Sequence, residues 1–239
     1  MKVAISFIGT GKYLNFLPGW YEKVTENFLP DCEKTFLVFT DGELSDPPEN
    51  IIPYHQKHLD WPYITLKRFE ILLRARDEIL KNDWYVFLDA DLIPVTKITS
   101  GEFFDESKPY FGVHHPCHFL GMPPHNQPPG TFDVNPLSTA GLEDGDDMSI
   151  YYQGCLWGGK SSEIASVMAY LNTNVNKDLD NNVIAKWHDE SHLNKFFSQN
   201  KEKVNTLGSE YAYPEVFAEH CKFEPKMVHL AKDNSKYHV

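Results

Sequence analysis

Short apolar runs alternate with helical patterns along the first 90 residues, and this alternation predicts an α/β sheet built from strand-helix-strand units. The runs Val3–Ile8, Thr35–Phe39 and Trp84–Leu88 are the predicted strands. Between the second and third strands, apolar residues recur at helical spacing. This spacing predicts one helix from Thr65 to Lys81 that packs on the sheet, with Thr65 as the candidate cap at its start.

The second half of the chain has a different pattern. From Lys108 to Gly145 it is rich in Pro, Gly, Asn and His, which predicts long loops that carry function or close over a ligand. Ordered elements are expected again over Ile150–Trp157, and as helices over Ser162–Leu171 and Asp189–Phe197. No linker divides the chain, so a single domain is expected.

Composition excludes several classes of protein. The 34 acidic and 22 basic side chains give a formal charge of -12, which argues against nucleic-acid or anionic-membrane partners because both need a basic surface. The four cysteines are widely spaced, as in a reduced cytoplasmic protein. The first apolar run is far shorter than the ~20 residues of a membrane helix. We therefore expect a cytoplasmic protein with no membrane anchor.

Two carboxylates follow the third predicted strand. Residues two apart in extended chain point the same way, so Asp89 and Asp91 can face one ion. Oxygen ligands suit Mg²⁺ or Mn²⁺, which commonly share their coordination shell with substrate phosphates. The tripeptides Asp144–Asp146 and Asp178–Asp180 have the same spacing but no strand in front of them. The alternative for Asp89 and Asp91 is a solvated turn.

Three other segments have a functional and a structural interpretation each. Gly9–Gly11 could contact a nucleotide or form a tight turn, but it lacks the dinucleotide and P-loop patterns. Trp187–His192 is dense in ionisable groups; it is not the H-E-x-x-H of a zinc protease, and its acidic residues could simply cap a helix. Tyr151–Gly159 could present aromatic and glycine surfaces to a sugar ring, or be an ordinary buried strand.

Five motifs together resemble one known family. They are Trp187–Lys195, Tyr151–Tyr152 with Gly158–Gly159, Thr65–Glu70, Tyr85–Asp91 and His115–Pro116. In order and spacing they are similar to the retaining glycosyltransferases of family 6, which include the histo-blood group A and B transferases and the α-1,3-galactosyltransferases. The resemblance implies a GT-A fold, with a Rossmann-like mixed sheet flanked by helices. It also implies transfer of galactose or N-acetylgalactosamine from a UDP-sugar to the 3-hydroxyl of a galactoside, in α-1,3 linkage.

The resemblance also assigns the donor side of the site. Asp89 and Asp91 look like the pair that ties Mn²⁺, or Mg²⁺, to the UDP diphosphate, and Arg68 contacts the donor and these aspartates. Lys232, with Lys236 nearby, matches a C-terminal residue that contacts the diphosphate. The residues that match contacts to the nucleotide are Ile8, Gly9, Thr10, Tyr13 and Ala90.

On the sugar side, the resemblance implies that Glu190 is the nucleophile or charge stabiliser and that Asp189 holds the donor sugar. Trp187 and His115 line the acceptor side. The stretch that decides between the two donor sugars reads Gln153, Gly154, Cys155, which matches neither specificity. Residues 1–91 are thus expected to form a nucleotide-binding half, and residues 92–239 an acceptor and catalytic half with a C-terminal tail.

Two questions stay open from the sequence. The anomeric configuration of the sugar can be retained in two ways. The reaction can pass through a covalent intermediate on Glu190, or the acceptor can attack on the face that UDP leaves. The alternatives to a metal-dependent transferase are a UDP-sugar hydrolase and a catalytically silent sugar-binding module. The intact Asp89, Asp91, Arg68 and Glu190 argue against a module that only binds.

Overall fold

A computed structural model describes residues 1–120 and 131–233 of the chain. Its strands are Lys2–Ile8 (β1), Glu33–Thr40 (β2), Ile51–His55 (β3), Trp84–Leu88 (β4), Leu92–Pro94 (β5), Tyr110–His114 (β6), Tyr152–Lys160 (β7), Val204–Leu207 (β8), Tyr213–Pro214 (β9) and Met227–His229 (β10). Its α-helices are Leu17–Asn27 (α1), Tyr63–Leu66 (α2), Arg68–Leu73 (α3), Arg76–Ile79 (α4), Ser100–Phe103 (α5), Pro116–Leu120 (α6), Ser161–Asp180 (α7) and Asp189–Gln199 (α8).

Seven strands form one mixed sheet in the order β3-β2-β1-β4-β7-β6-β8. The first four are parallel, β7 runs antiparallel to β4 and β6, and β6 and β8 are parallel. A small second sheet has the order β5-β10-β9. The molecule is therefore a single α/β domain with a mixed sheet flanked by helices, consistent with a GT-A fold, and the predicted fold class is confirmed.

Both faces of the central sheet are covered. Strands β1 and β4 are apolar along nearly their whole length because strands buried on both faces carry no polar side to alternate with. One face packs against α1 through Leu17, Trp20 and Val24. The other face packs against α3, α7 and α8. All three strands predicted in the first half are present, so the apolar runs were sufficient to locate them.

The single helix predicted from Thr65 to Lys81 is wrong. The segment forms three short helices, α2, α3 and α4, because the backbone leaves helical geometry at Lys67 (ψ 14°) and Ala75 (ψ 15°). Values of ψ slightly above 0° lie outside the α-helical region of the backbone and interrupt the regular helical turn. Thr65 does not cap the segment either, since Pro62 precedes the first helix and the Thr65 hydroxyl donates to the Pro62 carbonyl at 2.8 Å.

The region predicted as long loops, Lys108–Gly145, is only partly loop. It contains β6, an interior strand of the central sheet, and α6. The apolar run Tyr110–Val113 is the sequence feature that indicates β6. The many Pro and His residues around this run favoured a loop prediction instead. Residues 121–130 of this region, like Lys236 in the tail, lie outside the described residues.

Helix α7 extends the predicted helix Ser162–Leu171 by more than two turns, to Asp180. The strand before it, β7, begins and ends later than the predicted Ile150–Trp157. The helix predicted at Asp189–Phe197 is present as α8. Of the helices that the structure describes, none has both the length and the apolar character that crossing a membrane requires.

A buried histidine should make the stability of this fold depend on pH. His192 of α8 is 1% exposed, and burial lowers its pKa to about 4 from an ordinary value of 6.5. The unfolded chain then binds the proton first, so the stabilising contribution is complete above pH 6.5 and is lost as the pH falls towards 4. Between pH 7.5 and pH 5 we expect His192 to remove about 2 kcal/mol from the free energy of unfolding.

Urea unfolding of the wild type and of His192→Gln at both pH values measures this difference. The variant should lose less stability than the wild type between the two pH values. His220, which is exposed at the protein surface, offers the matched control His220→Gln, which should retain the wild-type pH dependence. Equal losses in the wild type and His192→Gln would assign the pH dependence to other groups.

Candidate active site

A cavity of about 550 Å³ opens beyond the carboxyl ends of β1 and β4. This is where an open α/β sheet collects ligands, because the loops leaving neighbouring parallel strands diverge there. One wall is the segment 58–65, which follows β3 and includes most of α2. The predicted site residues that line the cavity are Ile8, Thr10, Tyr13, Arg68, Asp89, Ala90, Asp91 and Lys232.

Asp91 is the buried centre of a charged group at the floor of this cavity. His229 Nε2 lies 2.8 Å from Asp91 Oδ1, and Lys232 Nζ contacts Asp91 Oδ2. Burial favours the neutral acid, but hydrogen bonds and charge from His229 and Lys232 outweigh it and lower the pKa of Asp91 well below its ordinary value. Lys232 also lies over the ring of Tyr13, 5.0 Å from the centroid. The carboxylate is therefore held ionised.

The same group fits a divalent cation. Asp89, Asp91 and His229 each offer a ligand atom, and these atoms lie within 4.8 Å of one another. Two carboxylates and an imidazole are a donor set that Mn²⁺ accepts. No other group of three or more such side chains that could hold an ion occurs in residues 1–120 and 131–233. Lys232 Nζ contacts the Asp91 oxygen that an ion would also use.

Arg68 connects the carboxylates after β4 to those of α8. Its NH1 donates to Asp189 Oδ2 at 2.6 Å and to the Gly154 carbonyl at 3.0 Å, while its NH2 donates to Asp89 Oδ1 at 3.3 Å. The guanidinium stacks 4.4 Å from the centroid of the Phe87 ring. Burial opposes the charged form, but the neighbouring carboxylates prevail and raise the pKa of Arg68. It therefore remains a fixed cation between the two groups.

The first turn of α8 carries Asp189 and Glu190. Burial raises the pKa of Asp189 to about 7, and the Arg68 cation opposes that rise. Burial also raises the pKa of Glu190, against hydrogen bonds from the Tyr151 hydroxyl and the Gly154 N–H. Those bonds measure 2.5 Å to Oε1 and 2.6 Å to Oε2, respectively. Both carboxylates therefore have defined positions beside the cavity.

Asn194 fixes the helix that carries these carboxylates. Its Oδ1 accepts from the Tyr152 N–H, and its Nδ2 donates to the Tyr152 carbonyl, both at 2.8 Å. The side chain thus bonds both main-chain groups of Tyr152, as a neighbouring strand would, and ties α8 to the sheet. His188, just before the helix, has φ 54°, a backbone conformation that is uncommon for non-glycine residues.

Comparison with known proteins identifies the family. The family model that describes the sequences of glycosyltransferase family 6 matches residues 1–238 of this chain. The chain belongs to glycosyltransferase family 6. Among its relatives is the Escherichia coli O-antigen biosynthesis glycosyltransferase WbnI, which is 29% identical over 92% of this chain and 91% of its own length.

Two vertebrate relatives are longer proteins. The human globoside alpha-1,3-N-acetylgalactosaminyltransferase 1 is 25% identical over 89% of this chain, and the rat histo-blood group ABO system transferase 2 is 23% identical over 88%. The chain spans 61% and 63% of their respective lengths. Family membership supports glycosyl transfer by this chain, with a sugar nucleotide as donor and a glycan as acceptor.

The remaining predicted residues of this family 6 chain lie close to the cavity without lining it. Gly9 donates its N–H to the Phe39 carbonyl at 2.9 Å, between β1 and β2. Gln153 and Cys155 are buried in β7, and the Cys155 carbonyl accepts from the Asp89 N–H at 2.9 Å. The Gln153 Oε1 atom is buried and has no hydrogen-bond partner among the described residues.

The two predicted acceptor-side residues lie near Glu190. Trp187 donates its ring N–H to the Thr131 carbonyl at 2.9 Å, and its main-chain carbonyl accepts from the Glu190 N–H at 3.1 Å. The His115 ring lies 5.8 Å from the ring of Tyr151, which bonds Glu190. The structure therefore brings the donor-side and sugar-side predictions to adjacent parts of one site.

Sequence reasoning missed three parts of this site. His229 is far from Asp91 in the chain, and no spacing rule connects them; only the pairing of β10 with β5 brings them together. Tyr151 was noticed as part of a motif, but its contact with Glu190 depends on the packing of α8 against β7. The wall 58–65 includes the exposed Trp61, whose ring meets His188 edge-on at 5.0 Å.

Proposed function

We propose that this family 6 chain moves galactose or N-acetylgalactosamine from a UDP-sugar to the 3-hydroxyl of an acceptor galactoside, retaining the α configuration and depending on a divalent metal. One observation carries this proposal: Arg68 joins the candidate metal ligand Asp89 to Asp189, next to Glu190. A site for a diphosphate and a site for a sugar therefore share one cation. The α-1,3 linkage follows the resemblance and the name of the human relative.

Residues 1–91 would supply most contacts to the nucleotide. Ile8, Thr10 and Tyr13 line the cavity where the uridine would lie, and Lys232 is within reach of a diphosphate placed over Asp91. Asp89, Asp91 and His229 would hold Mn²⁺ or Mg²⁺, which when bound neutralises negative charge on the departing UDP. The nitrogen ligand favours Mn²⁺, because Mg²⁺ prefers oxygen ligands.

Glu190 would act on the sugar as its bond to UDP breaks. Departure of UDP leaves positive charge on the anomeric carbon, and a fixed carboxylate beside it stabilises that charge. Asp189, oriented by Arg68, would hold the sugar hydroxyls, while His115 and Trp187 would lie on the acceptor side. Arg68 and Lys232 would balance the charge that develops on the leaving diphosphate.

The first experiment measures UDP release from UDP-galactose and from UDP-N-acetylgalactosamine. Each donor is tested with and without a galactoside acceptor, plain or fucosylated, in Mn²⁺ and again in EDTA. We expect one donor to give acceptor-stimulated release that EDTA abolishes, with an α-linked product. Release that the acceptor does not change would indicate a hydrolase, and no release with either donor would indicate a protein that only binds sugars.

His229 should contribute to metal affinity. In His229→Gln one of the three candidate ligands is replaced, so we expect Mn²⁺ affinity in the absence of nucleotide to fall about tenfold. Calorimetric titration with Mn²⁺ measures this change directly. The control is His220→Gln, which alters an exposed histidine of the same C-terminal region. Unchanged Mn²⁺ affinity in His229→Gln would leave the two aspartates as the protein ligands.

A further inference from the structure

The Glu190 carboxylate is held at both of its oxygens from the same end of β7. The Gly154 N–H donates to Oε2 at 2.6 Å, and the Tyr151 hydroxyl donates to Oε1 at 2.5 Å. Charge-assisted hydrogen bonds of this length are roughly twice as strong as neutral ones. A side chain at position 154 would press on this arrangement, because a Cβ there would lie 3.1 Å from Glu190 Oε2. The carboxylate therefore has little freedom to rotate.

Tyr151 is itself rigidly placed. Its side chain is fully buried, and its ring packs perpendicular to Phe132, with 5.1 Å between the centroids. Its main-chain carbonyl accepts from the His115 N–H at 2.8 Å. Burial and the adjacent carboxylate raise the pKa of Tyr151 well above its ordinary value, so the hydroxyl keeps its proton and remains a donor. The hydrogen bond to Glu190 thus comes from a preformed position and needs no reorganisation.

We propose that Tyr151 is a positioning residue for the glycosyl transfer reaction, whose hydroxyl orients the Glu190 carboxylate towards the sugar and keeps it ionised. This inference rests on the proposed function of Glu190. A preorganised donor contributes to catalysis because it aligns the stabilising charge before the reaction begins. The residue acts through Glu190, so its loss should change the rate of the chemical step more than the binding of the donor.

The neighbouring tyrosine provides a matched control. Tyr152 is also buried, but its hydroxyl meets the Thr206 hydroxyl at 2.8 Å, away from Glu190. Tyr151→Phe and Tyr152→Phe each remove one oxygen atom from a buried ring of the same segment. We expect Tyr151→Phe to lower kcat about 10- to 100-fold with little change in the KM of the donor. Tyr152→Phe should leave kcat within about twofold of the wild type.

The pH profile of kcat separates positioning from a purely structural role. Besides Tyr151, the charged or titratable groups that face Glu190 are Arg68, Asp89, Asp189 and Cys155, and both variants retain all four. Loss of the Tyr151 hydrogen bond removes a group that favours the ionised carboxylate. The acidic limb of the profile should therefore move to higher pH in Tyr151→Phe and stay in place in Tyr152→Phe.

Two further variants make the outcomes distinct. If Tyr151→Phe fails to fold in a thermal unfolding test, 3,5-difluorotyrosine at position 151 provides a stronger donor of nearly the same shape, and the acidic limb should then move to lower pH. An unchanged kcat and pH profile in the folded position-151 variants, while Glu190→Gln loses transfer, would overturn the role of Tyr151 and leave the proposed function intact. Full transfer by Glu190→Gln would instead overturn the proposed function.

Discussion

Replacement of Glu190 by glutamine is expected to lower acceptor-dependent sugar transfer by about a thousandfold. The amide is nearly isosteric but carries no charge, so the positive charge on the anomeric carbon loses its counter-charge. It also offers only one acceptor oxygen to the two donors, Tyr151 and Gly154, that now bind the carboxylate. Binding of UDP should change little, because the nucleotide would lie in the cavity beside Asp89 and Asp91, and Arg68 separates these residues from Glu190. UDP release and product analysis with each donor measure the loss.

Glu163→Gln is the matched control for this variant. Glu163 also lies in the first turn of a helix, α7, but it is exposed to solvent. The control therefore reproduces the loss of a carboxylate near a helix N-terminus without touching the cavity, and it should retain full transfer. Full transfer by Glu190→Gln with the wild-type product would exclude both a nucleophile and a charge stabiliser at this position.

Asp91→Asn should have a similarly large effect, through the metal. Asp91 is 2% exposed, and its two oxygens contact His229 and Lys232. The amide removes the charge that would hold a divalent ion and leaves both of these partners without their carboxylate. We expect Mn²⁺ affinity to fall at least about 100-fold and transfer about a thousandfold. Calorimetric Mn²⁺ titration and transfer rates over a range of Mn²⁺ concentrations measure the two effects.

Asp180→Asn tests whether the effect is specific to this position. Asp180 belongs to another Asp-x-Asp tripeptide but is exposed at the end of α7, so its variant should bind Mn²⁺ and transfer sugar normally. Thermal unfolding of both variants in EDTA checks that Asp91→Asn is folded. Transfer by Asp91→Asn at the wild-type rate in EDTA would remove the metal from the mechanism and leave the role of Glu190 to be judged separately.

Much of the sheet was predictable because its signal is local. Buried parallel strands need continuous apolar runs, and β1, β2 and β4 have them. The position of Asp89 and Asp91 directly after β4 was enough to place both at the carboxyl edge of the sheet. The start of α8 was predicted for a related reason: acidic residues are favoured in the first turn of a helix. These elements follow from spacing of a few residues.

Other elements were not predictable because their causes lie far away in the chain. Helical spacing from Thr65 to Lys81 predicted one helix, but the segment forms three, with breaks at Lys67 and Ala75. Arg68, directly after the first break, contacts carboxylates after β4 and at the start of α8, and these partners are 21 and 121 residues away. Strand β10 has only three residues and no distinctive pattern; it exists because β5 and β9 pair with it.

The sequence by itself determined the kinds of chemistry available: two carboxylates after a strand, two more at the start of a helix, and an arginine ahead of both pairs in the chain. The tertiary structure decided which of these groups meet, and it added His229 and Tyr151, whose partners are 138 and 39 residues away. Hydrogen bonds and ion pairs depend on distances of about 3 Å, and such distances between remote residues are set only when the strands pair and the helices pack. Composition and periodicity describe single elements, whereas the site is made from contacts between them.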